Sequence, residues 1–277
     1  MLKVLARQRT TRRRKLVKSV ASETDDNAIT IASLGLLAYA SADIAHHVLG
    51  HGGACLALGG SIASLSSVFV NCSLHGATID LAGPFANLAL GLAALLVAGV
   101  ARRTATTTRL FWVLVAAFNL MWFSGQLVFS VATGTDDWAW AMHRFSIGAP
   151  GRYGLIGVGA LCYFLTYRFT AAGMVPLAHP RARARRTVLI VWLTAGVTAS
   201  ATAALDHNAV QSLLLQAMPQ SFLLSIGLLL VPARAARRST NTSPTAAVGF
   251  SVRWTIGAAI VGVASILVLG RGMIATN

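Results

Sequence analysis

Acidic side chains are what this sequence has least of. Its 277 residues include eight Asp and Glu together, and Glu23 is the one glutamate. Charged residues of either sign make up 11%, less than half of the roughly 25% found in an ordinary soluble domain, and a soluble globular chain is thereby excluded. Cysteine is also sparse. Cys55, Cys72 and Cys162 show no CxxC spacing, so neither a zinc ribbon nor a thioredoxin-type dithiol is encoded, and the three read as small buried hydrophobes. The basic first twenty residues contain no apolar run, which argues against a secretory signal peptide. No repeat of fixed period interrupts the pattern.

What the chain has in quantity is apolar sequence, 55% of it. Hydrophobic runs near the length of a bilayer crossing recur at about 28–58, 80–101, 110–132, 153–172, 187–204, 212–231 and 253–270, with Pro219 placed to kink or break the sixth. The net charge of +15 does not indicate nucleic acid, because the basic residues cluster between the apolar runs, where Lys and Arg set topology. With seven crossings, 20 of the 23 Lys and Arg fall on one side, and only Arg144, Arg152 and Arg271 on the other. The expected protein is an all-α, polytopic transmembrane bundle of about seven spans, with a cytoplasmic N-terminus, an outer C-terminus and a bacterial inner membrane as its location. Residues 1–27 form a basic cytoplasmic tail, 28–140 a membrane core and 141–277 additional transmembrane helices. Residues 61–79, rich in Ser and β-branched residues and free of Lys and Arg, suit a re-entrant or hairpin segment at the membrane surface.

Within the first run stand Asp43, His46, His47 and His51. Ionisable groups in hydrocarbon are costly and mark functional sites. On an α-helix, Asp43, His47 and His51 lie at i, i+4 and i+8 on one face. Two imidazoles one turn apart can share a tetrahedral metal if another element brings a third ligand. The seven-span topology gathers His75, Asp80, Asp136, Asp137 and Asp206 on the same side of the membrane as His47 and His51. His75, His143, His179 and His207 read as solvated, and Asn119 and Gln126 as polar glue between helices.

His47-Val48-Leu49-Gly50-His51, followed by Ala57-Leu58-Gly59-Gly60, resembles the first signature of the site-2 protease family of intramembrane zinc metalloproteases. Gly83-Pro84-Phe85-Ala86-Asn87 is similar to that family's Gly-Pro-x-x-Asn segment, and the order of His-pair helix, hairpin and Gly-Pro helix matches. The likeness covers about residues 30–132. It implies a zinc ion held by His47 and His51, with Asp137 as the third-span carboxylate and Asp136 as its substitute. Asp43, His46, Asn87 and Asp136 would support these ligands, and a transmembrane helix or client protein would be the partner. The family's first signature is His-Glu-x-x-His, and Val48 stands where its general base would be. Asp43 is a weak stand-in for that base, so an inactive form that sequesters helices is one expectation within the family.

Two other readings come from the residues alone. In one, Asp43, His47 and His51 relay protons or ions in a transporter or channel. In the other, a bis-His haem site needs a histidine from a second span, and no other span has a central one. The topology generates a direct test: an alkaline phosphatase fused after Asn277 should be active outside the cell, and one fused after Thr240 should be silent.

Overall fold

The computed structural model of the chain describes residues 26–101, 106–177, 181–238 and 247–274. Residues 1–25, most of the basic tail, lie outside the described residues, as does His179. Among the described residues, seven helices are long and apolar enough to cross a bilayer: Ala28–Ala57, Ala77–Val100, Thr106–Thr133, Ala149–Met174, Arg181–Ala203, Ala209–Arg237 and Val252–Gly270. They are called the first to seventh spans below. A short helix, Asp136–Arg144, links the third and fourth.

Asn27 starts the first span by accepting a hydrogen bond from the Thr30 amide at 2.9 Å, which satisfies one of the free N–H groups of a helix start. Next to it, Asp26 takes a two-pronged contact from Arg183 at 2.7 Å and one from the Val248 amide. The beginnings of the first, fifth and seventh spans are thereby tied together on one face. On the opposite face the chain leaving the seventh span pairs with the hairpin that follows the first. An odd number of crossings places the two segments there.

The third span is the central one, packed against the first, second and fourth. Its Leu114, Val115, Ala116, Ala117, Phe118 and Met121 are all buried. Between helices in lipid there is little hydrophobic driving force, so close packing by small residues matters more. Gly50 of the first span meets Gly83 of the second so closely that a Cβ on Gly50 would stand 2.5 Å from the Gly83 Cα. Large apolar side chains elsewhere face outward: Leu49, Leu96, Val100 and Ile260 are all more than 60% exposed, as a lipid-facing surface requires. The sixth span is broken as its proline suggested. It runs as π-helical turns at Ser212–Ala217 and Pro219–Leu223 and a 3₁₀ turn at Ile226–Leu230.

Within the segment expected at 61–79, residues 62–72 form a hairpin, and the second span already begins at Ala77. Strand β1, Ile62–Leu65, pairs antiparallel with β2, Val70–Cys72. Strand β3, Met273–Ile274, adds to the other side of β1, giving the order β2-β1-β3. The cysteine reading needs correcting. Cys55 and Cys72 form a disulfide across 17 residues, with Cα atoms 5.9 Å apart. Spacing alone could not reveal it, because the hairpin folds β2 back onto the end of the first span. Gly60 fits against this bond: a Cβ there would lie 2.9 Å from the Cys55 Sγ. Cys162 stays a free thiol in the fourth span.

A cross-link closing a loop of this length stabilises by about 3 kcal/mol. Replacing Cys55 and Cys72 together by Ser should therefore lower the thermal unfolding midpoint in detergent, and reducing agent should lower it for the parent chain but not for the double variant.

Candidate metal centre

The local winding of the first span decides which histidines meet. From Ala28 to Asp43 it is α-helical, and from Ile44 to Gly52 it is a π-helix. Residues five apart on an α-helix stand about 140° apart around the axis. In a π-helix the backbone bond itself joins i to i+5, so residues five apart stack. His46 and His51 therefore share a face, with ring centroids 4.8 Å apart, against 6.2 Å for His47 and His51.

The second span closes against this face. A Cβ on Gly83 would stand 2.3 Å from the His51 Nε2, so only glycine lets the helix approach. Four residues on, Asn87 is wholly buried. Its Oδ1 accepts from His46 Nδ1 at 2.7 Å, and its Nδ2 donates to the Ala42 carbonyl at 2.9 Å and to Asn119 Oδ1 at 3.0 Å. His51 Nδ1 donates to the Ile79 carbonyl at 2.7 Å. Donation to an oxygen fixes the proton of each neutral ring on Nδ1 and leaves the Nε2 lone pair for a ligand. Trp122 of the third span stacks on the His46 ring, centroids 5.0 Å apart, and limits its rotation.

The short helix after the third span brings the carboxylate. Asp137 is buried and places Oδ2 3.0 Å from His46 Nε2 and 3.2 Å from His51 Nε2. The two Nε2 atoms are themselves 3.2 Å apart. Gln126 steadies the corner, its Nε2 donating to Oδ2 of Asp137 at 2.9 Å and of Asp136 at 3.0 Å. Asp136 occupies a positive φ of 73°, a costly conformation for a residue other than glycine. It opens the short helix that carries Asp137. Burial, reinforced by the neighbouring Asp137 charge, pushes the Asp136 carboxyl up to about 6. Burial also opposes ionisation of Asp137, but His51 and His46 beside it outweigh that and hold its pKa below the ordinary carboxylate value.

Two imidazole nitrogens and a carboxylate oxygen at these separations need a proton or a metal cation among them. A tetrahedral zinc, with bonds of about 2.0–2.1 Å, sets its donors about 3.3 Å apart. His46, His51 and Asp137 form a group with the spacing and chemistry to hold a metal ion. Two nitrogens and one oxygen leave a fourth position free, as catalytic zinc sites do.

The ligand pair read from an α-helical face was His47 with His51. The structure brings His51 and Asp137 together as expected and puts His46, expected as support, beside them. His47 turns to Asp43 instead, its Nδ1 3.0 Å from Asp43 Oδ1, and its remaining nitrogen is Nε2. Both are buried, and His47 lines the same cavity of about 360 Å³ as His46, His51 and Asp137. Asn87 binds the His46 ring, and Asp136 stands beside Asp137 on the Gln126 amide. Trp138, next to Asp137, is buried against Phe85 and Phe123. Asp206 stays away from the centre and caps its own turn through Asn208 and Ser212. Gln126, expected as polar glue, and Trp122 carry nothing in their spacing that marks them as partners of a carboxylate and an imidazole.

Comparison with protein-family models, with curated proteins and with solved structures found no match.

Gly83→Ala should push the His51 ring off the common point. Displacing what orients a ligand typically costs about 10–100-fold in metal affinity, to be read by competition with a chromogenic chelator, with helical content unchanged by circular dichroism.

Proposed function

We propose that this protein is a membrane-embedded zinc enzyme of the site-2 protease kind, hydrolysing peptide bonds of membrane-spanning segments at His46, His51 and Asp137. The observation that carries the reading is the convergence of two Nε2 atoms and one carboxylate oxygen within 3.2 Å of one another. Each imidazole is held from behind by an oxygen acceptor on its Nδ1 side. His46, His51 and Asp137 would hold a zinc ion, which when bound would supply an acidified water and polarisation of the scissile carbonyl.

The π-helix bears on the missing glutamate. Its winding amounts to one extra residue in the motif. Counted from His46, the position after the first ligand is His47, not Val48. A carboxylate–imidazole pair, Asp43 and His47, then stands in the place of the family's general base. With Nδ1 bound to Asp43, His47 has Nε2 to take a proton from water in the cavity. The Gly-Pro-x-x-Asn likeness gains a physical content too, since Gly83 admits His51 and Asn87 orients His46.

The relay reading, with Asp43, His47 and His51 passing ions across the membrane, has less support. On the side of the site away from the hairpin, the first and third spans are packed with Ile31, Leu34, Ala38, Leu114 and Phe118, all buried. The orientation that fits the Lys and Arg distribution sets the centre in the outer half of the membrane.

Metal analysis of purified protein tests the centre. Wild type should carry one zinc per chain, His46→Ala and Asp137→Ala should carry little, and His47→Ala should keep it. Zinc retained by His46→Ala but lost by His47→Ala would sink the assignment. In a cleavage assay on a reconstituted membrane segment, His47→Ala should lose about 10²–10⁴-fold in turnover, the usual contribution of a general base.

A further inference from the structure

The cavity at the metal centre has a wall that the family likeness does not cover. Gln216 and Gln220 of the broken sixth span line it together with the histidines. Gln220 is 6% exposed. Its Nε2 donates to Gln216 Oε1 at 3.1 Å, and its own Oε1 is buried with no hydrogen-bond partner. A buried, unpaired amide oxygen is costly to keep, and a helix backbone does not require one there. The helix is also irregular at this point: Pro219 lacks an N–H, and both flanking turns are π-helical. Four residues apart, Gln216 and Gln220 are joined side chain to side chain across this break, and both line the cavity.

We propose that Gln220, held by Gln216, is the acceptor for a backbone N–H of an unwound peptide segment lying in the cavity. The inference rests on the hydrolase reading above for the identity of its ligand as a peptide. The physical need is specific. A transmembrane helix satisfies every backbone N–H internally, and a segment must unwind before its peptide bond can reach the metal. Each N–H so released loses its partner at a cost. The Gln220 Oε1 offers a replacement beside the centre. An intact helix has no free N–H for it, so the contact favours segments that unwind. The sixth span, outside the region that resembles a protease, thereby acquires a role as a positioning element. Its glutamines touch substrate and no ligand of the metal.

The test uses the full-length protein in detergent micelles and two fluorescent apolar peptides about 20 residues long, enough to cross a bilayer. One carries a central Asn-Pro break, and the other is an uninterrupted Leu-Ala helix. Affinities come from fluorescence anisotropy, and zinc content is measured on the same samples. Gln220→Met keeps the length of the side chain and removes the acceptor. It should weaken binding of the broken peptide about tenfold, leave the uninterrupted helix unaffected and leave zinc content at the wild-type level. Gln220→Glu keeps an acceptor oxygen at that place and should bind the broken peptide within about threefold of wild type. Equal affinity of wild type and Gln220→Met for the broken peptide, or no binding of it by wild type, overturns the proposal, as does an equal loss for both peptides. If Gln220→Met loses zinc and so reports misfolding, the Gln220→Glu comparison decides: a tenfold loss there with zinc intact also overturns it. A wild-type protein that holds no zinc but still prefers the broken peptide would refute the metal reading and leave the role of Gln220 standing.

Discussion

The hydrogen bond from His46 Nδ1 to Asn87 is the contact on which the centre depends. An imidazole buried in a membrane protein must place its N–H somewhere, and an unbound one is costly. Asn87 accepts it and with its other end holds the Ala42 carbonyl and Asn119. One side chain thus ties the first, second and third spans together and at the same time aims His46 Nε2 at the carboxylate of Asp137. Without Asn87 the ring would lose its anchor on Nδ1, and the three helices would lose a shared polar contact. Interhelical hydrogen bonds are modest individually, but this one fixes both packing and chemistry.

The same economy runs through the surrounding residues. Gly83 and Gly50 are small because two backbones cross there, and the crossing is what brings the Ile79 carbonyl and Asn87 within reach of the histidines. Gln126 holds both adjoining carboxylates, so the short helix after the third span is fastened at the residue that matters. The disulfide from Cys55 to Cys72 pins the hairpin to the end of the first span, next to the cavity that the hairpin walls on one side. Disulfides persist in oxidising surroundings, and the orientation expected from the basic residues would place this one on the outer side.

Much of the architecture was legible in the sequence. Seven apolar runs separated by basic clusters specify crossings and their alternation, because transfer into lipid and the bias of Lys and Arg are additive over local stretches. The hairpin at 61–79 and the break at Pro219 were legible for the same reason, since β-branched runs and an absent N–H act locally. The convergence of His51, Asp136 and Asp137 on one side followed from parity alone. What the pattern missed was non-local. The Cys55–Cys72 pairing depends on a chain reversal, and Gln216 and Gln220 reach the cavity only through a span far along the chain.

The sequence by itself determined that an expensive polar face sits in the first span, and the family likeness suggested a carboxylate for it at the outer end of the third. The tertiary structure decided which histidines compose that face. Spacing counts residues on an assumed 3.6-residue turn and so pairs His47 with His51. The chain instead winds as a π-helix from Ile44 to Gly52, pairing His46 with His51 and leaving His47 to Asp43. A π-turn trades backbone bonds within one helix for contacts with its neighbours, here Asn87, Gly83 and Asp137. Those contacts exist only once the second and third spans are in place, so the sequence of the first span could not express its own winding.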